Sequence, residues 1–169
     1  MKAFGFIWGV GGVLLLILFA IYRLAPMAWA LEDSSMNLLH WAALIFSVVF
    51  MSYTEGYKGF HHGFAPRVVI RANYLKDNPH IIHIILAPLF CMGYIHATRK
   101  RKVISIGLTL MIICFILVAP MLPQPWRGII DAGVVVGLSI GIISIIYFIF
   151  LGILYPQAIE VSAEVPDDA

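Results

Sequence analysis

The side chains of this sequence that can do chemistry stand in a few places. Glu55, Tyr57, Lys58, His61, His62 and Arg67 fall in one short stretch, and His80 and His83 follow it. Imidazoles and carboxylates are the usual ligands of zinc, iron and other divalent ions, and histidine also carries protons near neutral pH. His80 and His83 are three positions apart, which on a helix sets both rings on one side. Asp131 offers a second carboxylate, with Trp126 and Arg127 just ahead of it. Glu55, His61, His62, His80, His83 and Asp131 therefore read as a candidate divalent-metal set. Tyr57, Lys58, Arg67, Trp126 and Arg127 read as side chains that could orient an anionic or quinone-like ligand.

Neither the His61-His62 pair nor the His80-to-His83 spacing matches a metal motif of fixed geometry. The same residues also read as an interfacial hydrogen-bond network, with Glu55 paired to Lys58 or Arg67 and Asp131 paired to Arg127, or as a pocket for a small molecule or lipid. His40 and His96 come from two other places and could hold a haem b between them. The triplet Leu39-His40-Trp41 resembles the opening of a haem-bearing helix in b-type membrane cytochromes, over those three residues.

These side chains are set in a very apolar chain. Of 169 residues, 62% are hydrophobic and 12% charged, where a soluble protein carries about a quarter charged. That composition reads as an all-α integral membrane protein, a single polytopic domain over residues 1–169 with the lipid bilayer as its first partner. The net charge of +2 is too small to favour nucleic acid, which is excluded as a partner. Cys91 and Cys114 lie inside apolar runs without CxxC spacing and read as packing residues.

Runs close to the length of a spanning helix predict five segments, at 4–22, 38–60, 80–97, 103–122 and 129–155, followed by an acidic tail over 156–169. The first could instead be a signal peptide, with Ala28-Trp29-Ala30 as its cleavage site. Its apolar run is too long for that, and Arg23 interrupts the approach, so it is expected to remain as a helix. Asn78 and Pro79 read as the start of the third segment. The pattern over 66–76, with Val68, Ala72 and Leu75 on one face and Arg67, Arg71 and Tyr74 nearer the other, predicts an amphipathic helix in the headgroup plane.

Gly133, Gly137 and Gly141 recur every fourth residue, as Gly5 and Gly9 do, a spacing that lets helices approach closely in lipid. It serves packing within the bundle or a homo-oligomer or complex interface. Orientation is nearly tied. Lys58, Arg67, Arg71 and Lys76 precede the third segment, and Arg99, Lys100, Arg101 and Lys102 follow it. One crossing then puts four positive charges on each side, unless the third segment is re-entrant and both sets share a face. With five crossings, the 54–79 loop and the 123–130 loop share one face, while His40 and His96 meet near the other. The reading is a small membrane protein of bacterial inner-membrane type with its site in 54–83. Its function is either that of a metal-binding or redox-linked enzyme, or that of a non-catalytic accessory or assembly subunit. A transporter fits least, because no inverted repeat is visible.

Overall fold

The structure, a computed structural model, describes residues 2–155, 159 and 161–166. The described residues are helical and contain no strand. Four helices are long and apolar enough to cross a membrane: Ala3–Trp29, Leu38–Asp77, Arg99–Met121 and Trp126–Leu154. Of the acidic tail, Glu164 is described, while Glu160, Asp167 and Asp168 lie outside the described residues.

Helix α1 (Lys2–Trp29) passes the expected end at Tyr22 and takes Pro26 in its last turn. The Ala28-Trp29-Ala30 stretch is thus the end of a packed helix. Helix α2 (Leu38–Met51) starts where predicted. Asn37 Oδ1 accepts the His40 N–H at 3.0 Å and His40 Nδ1 accepts the Asn37 N–H at 3.3 Å, a reciprocal cap that satisfies two orphan donors. The chain then continues without a break through a π-helical stretch, Ser52–Phe64, into α3 (Ala65–Asp77). Ser52 and Thr54 donate back to the Val48 and Phe50 carbonyls at 2.6 and 2.7 Å, bonds that bend helices. Gly56, Gly59 and Gly63 weaken the local α preference further. The i→i+5 bonding widens the turn. Tyr53, Tyr57 and His61 stack in a column, with ring centroids 6.1 and 5.9 Å apart.

The third predicted span is replaced by a hairpin. Helices α4 (Ile81–Ile85) and α5 (Ala87–Cys91) have five residues each, about 7 Å apiece, too short to cross. The chain turns through Gly93 at φ +86° and returns until the His96 ring centroid is 5.1 Å from that of His83. Leu86 leaves helical geometry, and Pro88 cannot donate to a continuing ladder. Gly93 has no room for a side chain, since an added Cβ would lie 2.9 Å from Arg101 Nε. Asn78, expected to open this segment, closes α3 by donating its N–H to Tyr74 O at 2.8 Å. Helix α6 (Arg99–Val118) is capped by Thr98 and ends in a 3₁₀ turn, and α7 (Trp126–Leu154) completes the chain.

Glycines sit at the close contacts between the long helices, as small residues do between helices in lipid. Gly133 meets Ser47, Gly137 meets Met51 and Glu55, Gly141 meets Phe60 and Gly152 meets Val69. Helix α7 therefore runs parallel to the 38–77 helix along its length. A methyl on Gly141 would stand 2.7 Å from the Phe60 ring. The 133/137/141 face thus meets the 38–77 helix within the chain. Gly9 and Gly12 of α1 receive Cys91 and Pro88 of the hairpin, and Gly5 meets Leu75. At the other end, Leu31 packs on Gly128 and Gln124 Nε2 donates to Met27 O at 3.4 Å. Helix α1 is therefore antiparallel to α7. The bundle has a hairpin end, with the N-terminal turn of α1, the end of α3 and the start of α6, and a far end with Asn37 and Trp126. Helix α6 buries Arg101 and Ser105 near its start and is exposed along most of 103–118.

Candidate functional site

The predicted residues fall into three groups. The first is at the far end. The His40 ring meets Trp126 edge-on with centroids 5.1 Å apart, and Arg127 Nε lies 3.7 Å from Asp131 Oδ2 one turn along α7. The Arg127–Asp131 pair matches the network reading. His40 and His96 occupy opposite ends of the bundle, so this arrangement does not fit a haem between them. The shared face expected for Glu55 and Asp131 is lost with the third crossing.

The second group is the π-helical stretch, which packs against the middle of α7. Glu55 is half-buried beside Gly137. His61 Nδ1 is 3.2 Å from Ser144 Oγ, and its ring lies among Tyr57, His62, Tyr147 and Phe148. Tyr53, Tyr57, Lys58 and His62 are exposed. The Lys58 ammonium sits 4.8 Å from the Tyr53 ring centroid, a cation–π contact. Among the described residues no carboxylate comes within ion-pair distance of Lys58. Glu55 pairs with neither Lys58 nor Arg67.

The third group is at the hairpin end. His83 stacks against His80, Phe90 and His96, with centroids 5.0 to 5.2 Å apart. Burial holds the His83 imidazole below its ordinary range, helped by the charges of His96, His80 and Arg71. Burial lowers His96 too, followed by Arg71, Lys102 and His80. Cys91 is buried, and its thiol is pushed up to about 12, which keeps it protonated as a packing residue; Cys114 is exposed on α6.

The residue that organises this end is Arg71, which the amphipathic pattern placed on the solvent side of α3. It is 1% exposed. Its Nε donates to Phe90 O at 2.7 Å, Nη1 to Ala163 O at 2.6 Å, and Nη2 to Ile95 O at 2.7 Å and His96 O at 3.0 Å. The guanidinium also lies over the Phe90 ring. One side chain thus ties α3 to the hairpin and to the tail, because the planar fork of arginine presents five donors at fixed angles. No local pattern in the sequence announces those carbonyl partners. Beside it, Arg67 and Arg101 flank Glu164 of the tail, with Nε to Oε2 distances of 3.6 and 3.8 Å.

Among the described residues no group of three or more His, Cys, Asp or Glu side chains is gathered for a metal ion. His61 packs on Tyr147 and Phe148 of α7 with His62 on its outer side, whereas His80 and His83 pack together in the hairpin. Compared with known proteins, the chain matches no family model, no curated protein and no solved structure.

Proposed function

We propose that this chain is a non-catalytic accessory or assembly subunit of a membrane complex, and that the exposed face of its π-helical stretch docks a transmembrane helix of a different protein carrying a carboxylate. The observation that supports this is the exposure of Tyr57, Lys58 and His62 halfway along a spanning helix. With Trp126 at the bilayer boundary, Gly137 lies about 16 Å deeper along α7, half of the roughly 30 Å hydrocarbon core. The stretch facing Gly137 to Ser144 is then inside the core. Ionisable side chains there are costly unless they face protein or water, and in this bundle Lys58 and His62 face outward. A partner helix with an acidic side chain satisfies both. The exposed side of α6 gives no such argument, since its Ile, Leu, Val and Phe side chains are at home in lipid.

The hairpin also supports one orientation over the other. Four crossings bring Arg67, Lys76 and Arg99 to Lys102 to one face, against Arg23 and Arg127 at the other, so that face is cytoplasmic by the positive-inside rule. The start of α1 and the end of α7 then lie on that side, in a bilayer of bacterial inner-membrane type.

Lys58→Glu tests the docking. Extracted from its own membrane in native nanodiscs, the wild-type chain should run as a particle with a second polypeptide in fixed ratio, and the variant should run without it. A wild-type particle containing this chain alone, or one unchanged by Lys58→Glu, would overturn the reading.

A further inference from the structure

At the hairpin end two arginines share one described carboxylate. Arg67, Arg71 and Arg101 converge on the described tail, and among the described residues Glu164 is the carboxylate that reaches Arg67 and Arg101, while none reaches Arg71. Four of the five Arg71 donors are taken by carbonyls. Arg67 and Arg101 are not so engaged. Arg67 Nη1 is anchored on Gly63 O at 2.7 Å, which leaves its Nε facing the tail. The Arg67 Nε, Arg101 Nε and Glu164 Oε2 atoms are all buried without a hydrogen-bond partner, and the Arg101 side chain is only 6% exposed.

We propose that Arg67 and Arg101 form a binding site for a phosphate group, carried by a lipid headgroup or free in solution, and that Glu164 of the chain's own tail occupies it as a built-in competitor. A single carboxylate oxygen stands between the two guanidinium groups, at 3.6 and 3.8 Å, beyond hydrogen-bond length from each. A phosphate is larger and spreads its acceptors over a tetrahedron, so it can accept from both arginines at once. Its charge also suits a cradle of two guanidinium groups. The tail backbone is held at this position by Arg71 Nη1, which donates to Ala163 O at 2.6 Å. Thr98 N donates to Glu164 O at 2.9 Å, and Glu164 takes φ +50°, a conformation unfavourable for a residue with a Cβ. The Glu164 side chain can swing aside from this fixed backbone while an incoming phosphate replaces its charge. The site lies level with the end of α7, where Gly152 meets Val69, at headgroup depth. It is independent of the docking face on the π-helical stretch.

The test uses the full chain in a neutral detergent, titrated calorimetrically with dihexanoyl phosphatidic acid, with inorganic phosphate and with dihexanoyl phosphatidylcholine. Glu164→Gln should tighten phosphatidic acid binding about tenfold over wild type, the usual order of an intramolecular coupling. Adding Arg67→Gln to that variant should abolish the gain. Arg67 is the better site for this change because Arg101 also packs on Gly93. Saturable binding of inorganic phosphate assigns the site to free phosphate, and binding of phosphatidic acid alone assigns it to a headgroup. Equal binding of phosphatidylcholine, no gain with Glu164→Gln, or a gain that survives Arg67→Gln would overturn the proposal.

Discussion

Replacing Arg71 by methionine keeps an unbranched apolar stem and removes every donor. Four carbonyls, those of Phe90, Ile95, His96 and Ala163, then lose their partner in a buried setting. An unsatisfied buried polar group costs about 1–3 kcal/mol. Part of that is offset, since the charge itself no longer has to be buried. Taking the low figure for each carbonyl gives about 4 kcal/mol, which corresponds to roughly a thousandfold in an opening equilibrium. Hydrogen–deuterium exchange on purified protein reads this directly. The amides of Met92, Gly93, Tyr94 and Thr98 are bonded within the hairpin or to the tail, and they should exchange up to about a thousandfold faster in Arg71→Met. Amides between Gly133 and Gly141 should not change. Arg71→Lys should fall between, because an ammonium has three donors and no planar fork. A hairpin equally protected in wild type and Arg71→Met would refute the reasoning that this side chain holds the end together.

Two further outcomes follow from the packing and the charges. Gly137→Leu should impair folding by about 1–3 kcal/mol or more, because even a Cβ there meets Glu55 Cβ at 3.2 Å and Met51 O at 3.4 Å; Ile142→Leu should cost under about 1.5 kcal/mol, and equal thermal stability of the two in detergent would show that the glycine face is not a contact. The imidazoles of His83 and His96 are lowered in the fold, so the opened hairpin binds more protons; its protection should be complete above about pH 6.5 and decline as pH falls through the lower folded values. His83→Gln should flatten that decline, and protection that improves on acidification would contradict the sign.

Much of the architecture was legible because long apolar runs here form long helices. The apolar runs give α1, α6 and α7, the Leu38 start of α2 is found, and the glycine spacing marks surfaces that do pack. What failed is instructive. Residues 80–97 are apolar enough to span, but composition does not report whether Pro88 and Gly93 will fold the chain back, and that depends on Arg71, far away in sequence. The same side chain defeated the amphipathic reading of 66–76, since Val68, Ala72 and Leu75 are buried as expected and Arg71 is buried with them. Its partners are backbone carbonyls, which every residue owns and no residue advertises. The stretch 54–67 stood out as the least lipid-like part of the chain, yet its π-helical form, which sets Tyr53, Tyr57 and His61 in a column, has no sequence signature beyond its glycines. His83 and His96 meet only because the hairpin returns.

The claim that Tyr57, Lys58 and His62 face a partner protein inside the bilayer is tested most directly by photo-crosslinking in the intact membrane. A photoreactive aryl residue placed at Tyr57 should give one discrete adduct with a second, different polypeptide, and the adduct should vanish when Lys58→Glu is added. The same probe at Leu16, which is 52% exposed on α1, should label lipid. An adduct of twice the chain's own mass would assign the face to a second copy instead, and labelling of lipid alone at position 57 would contradict the account.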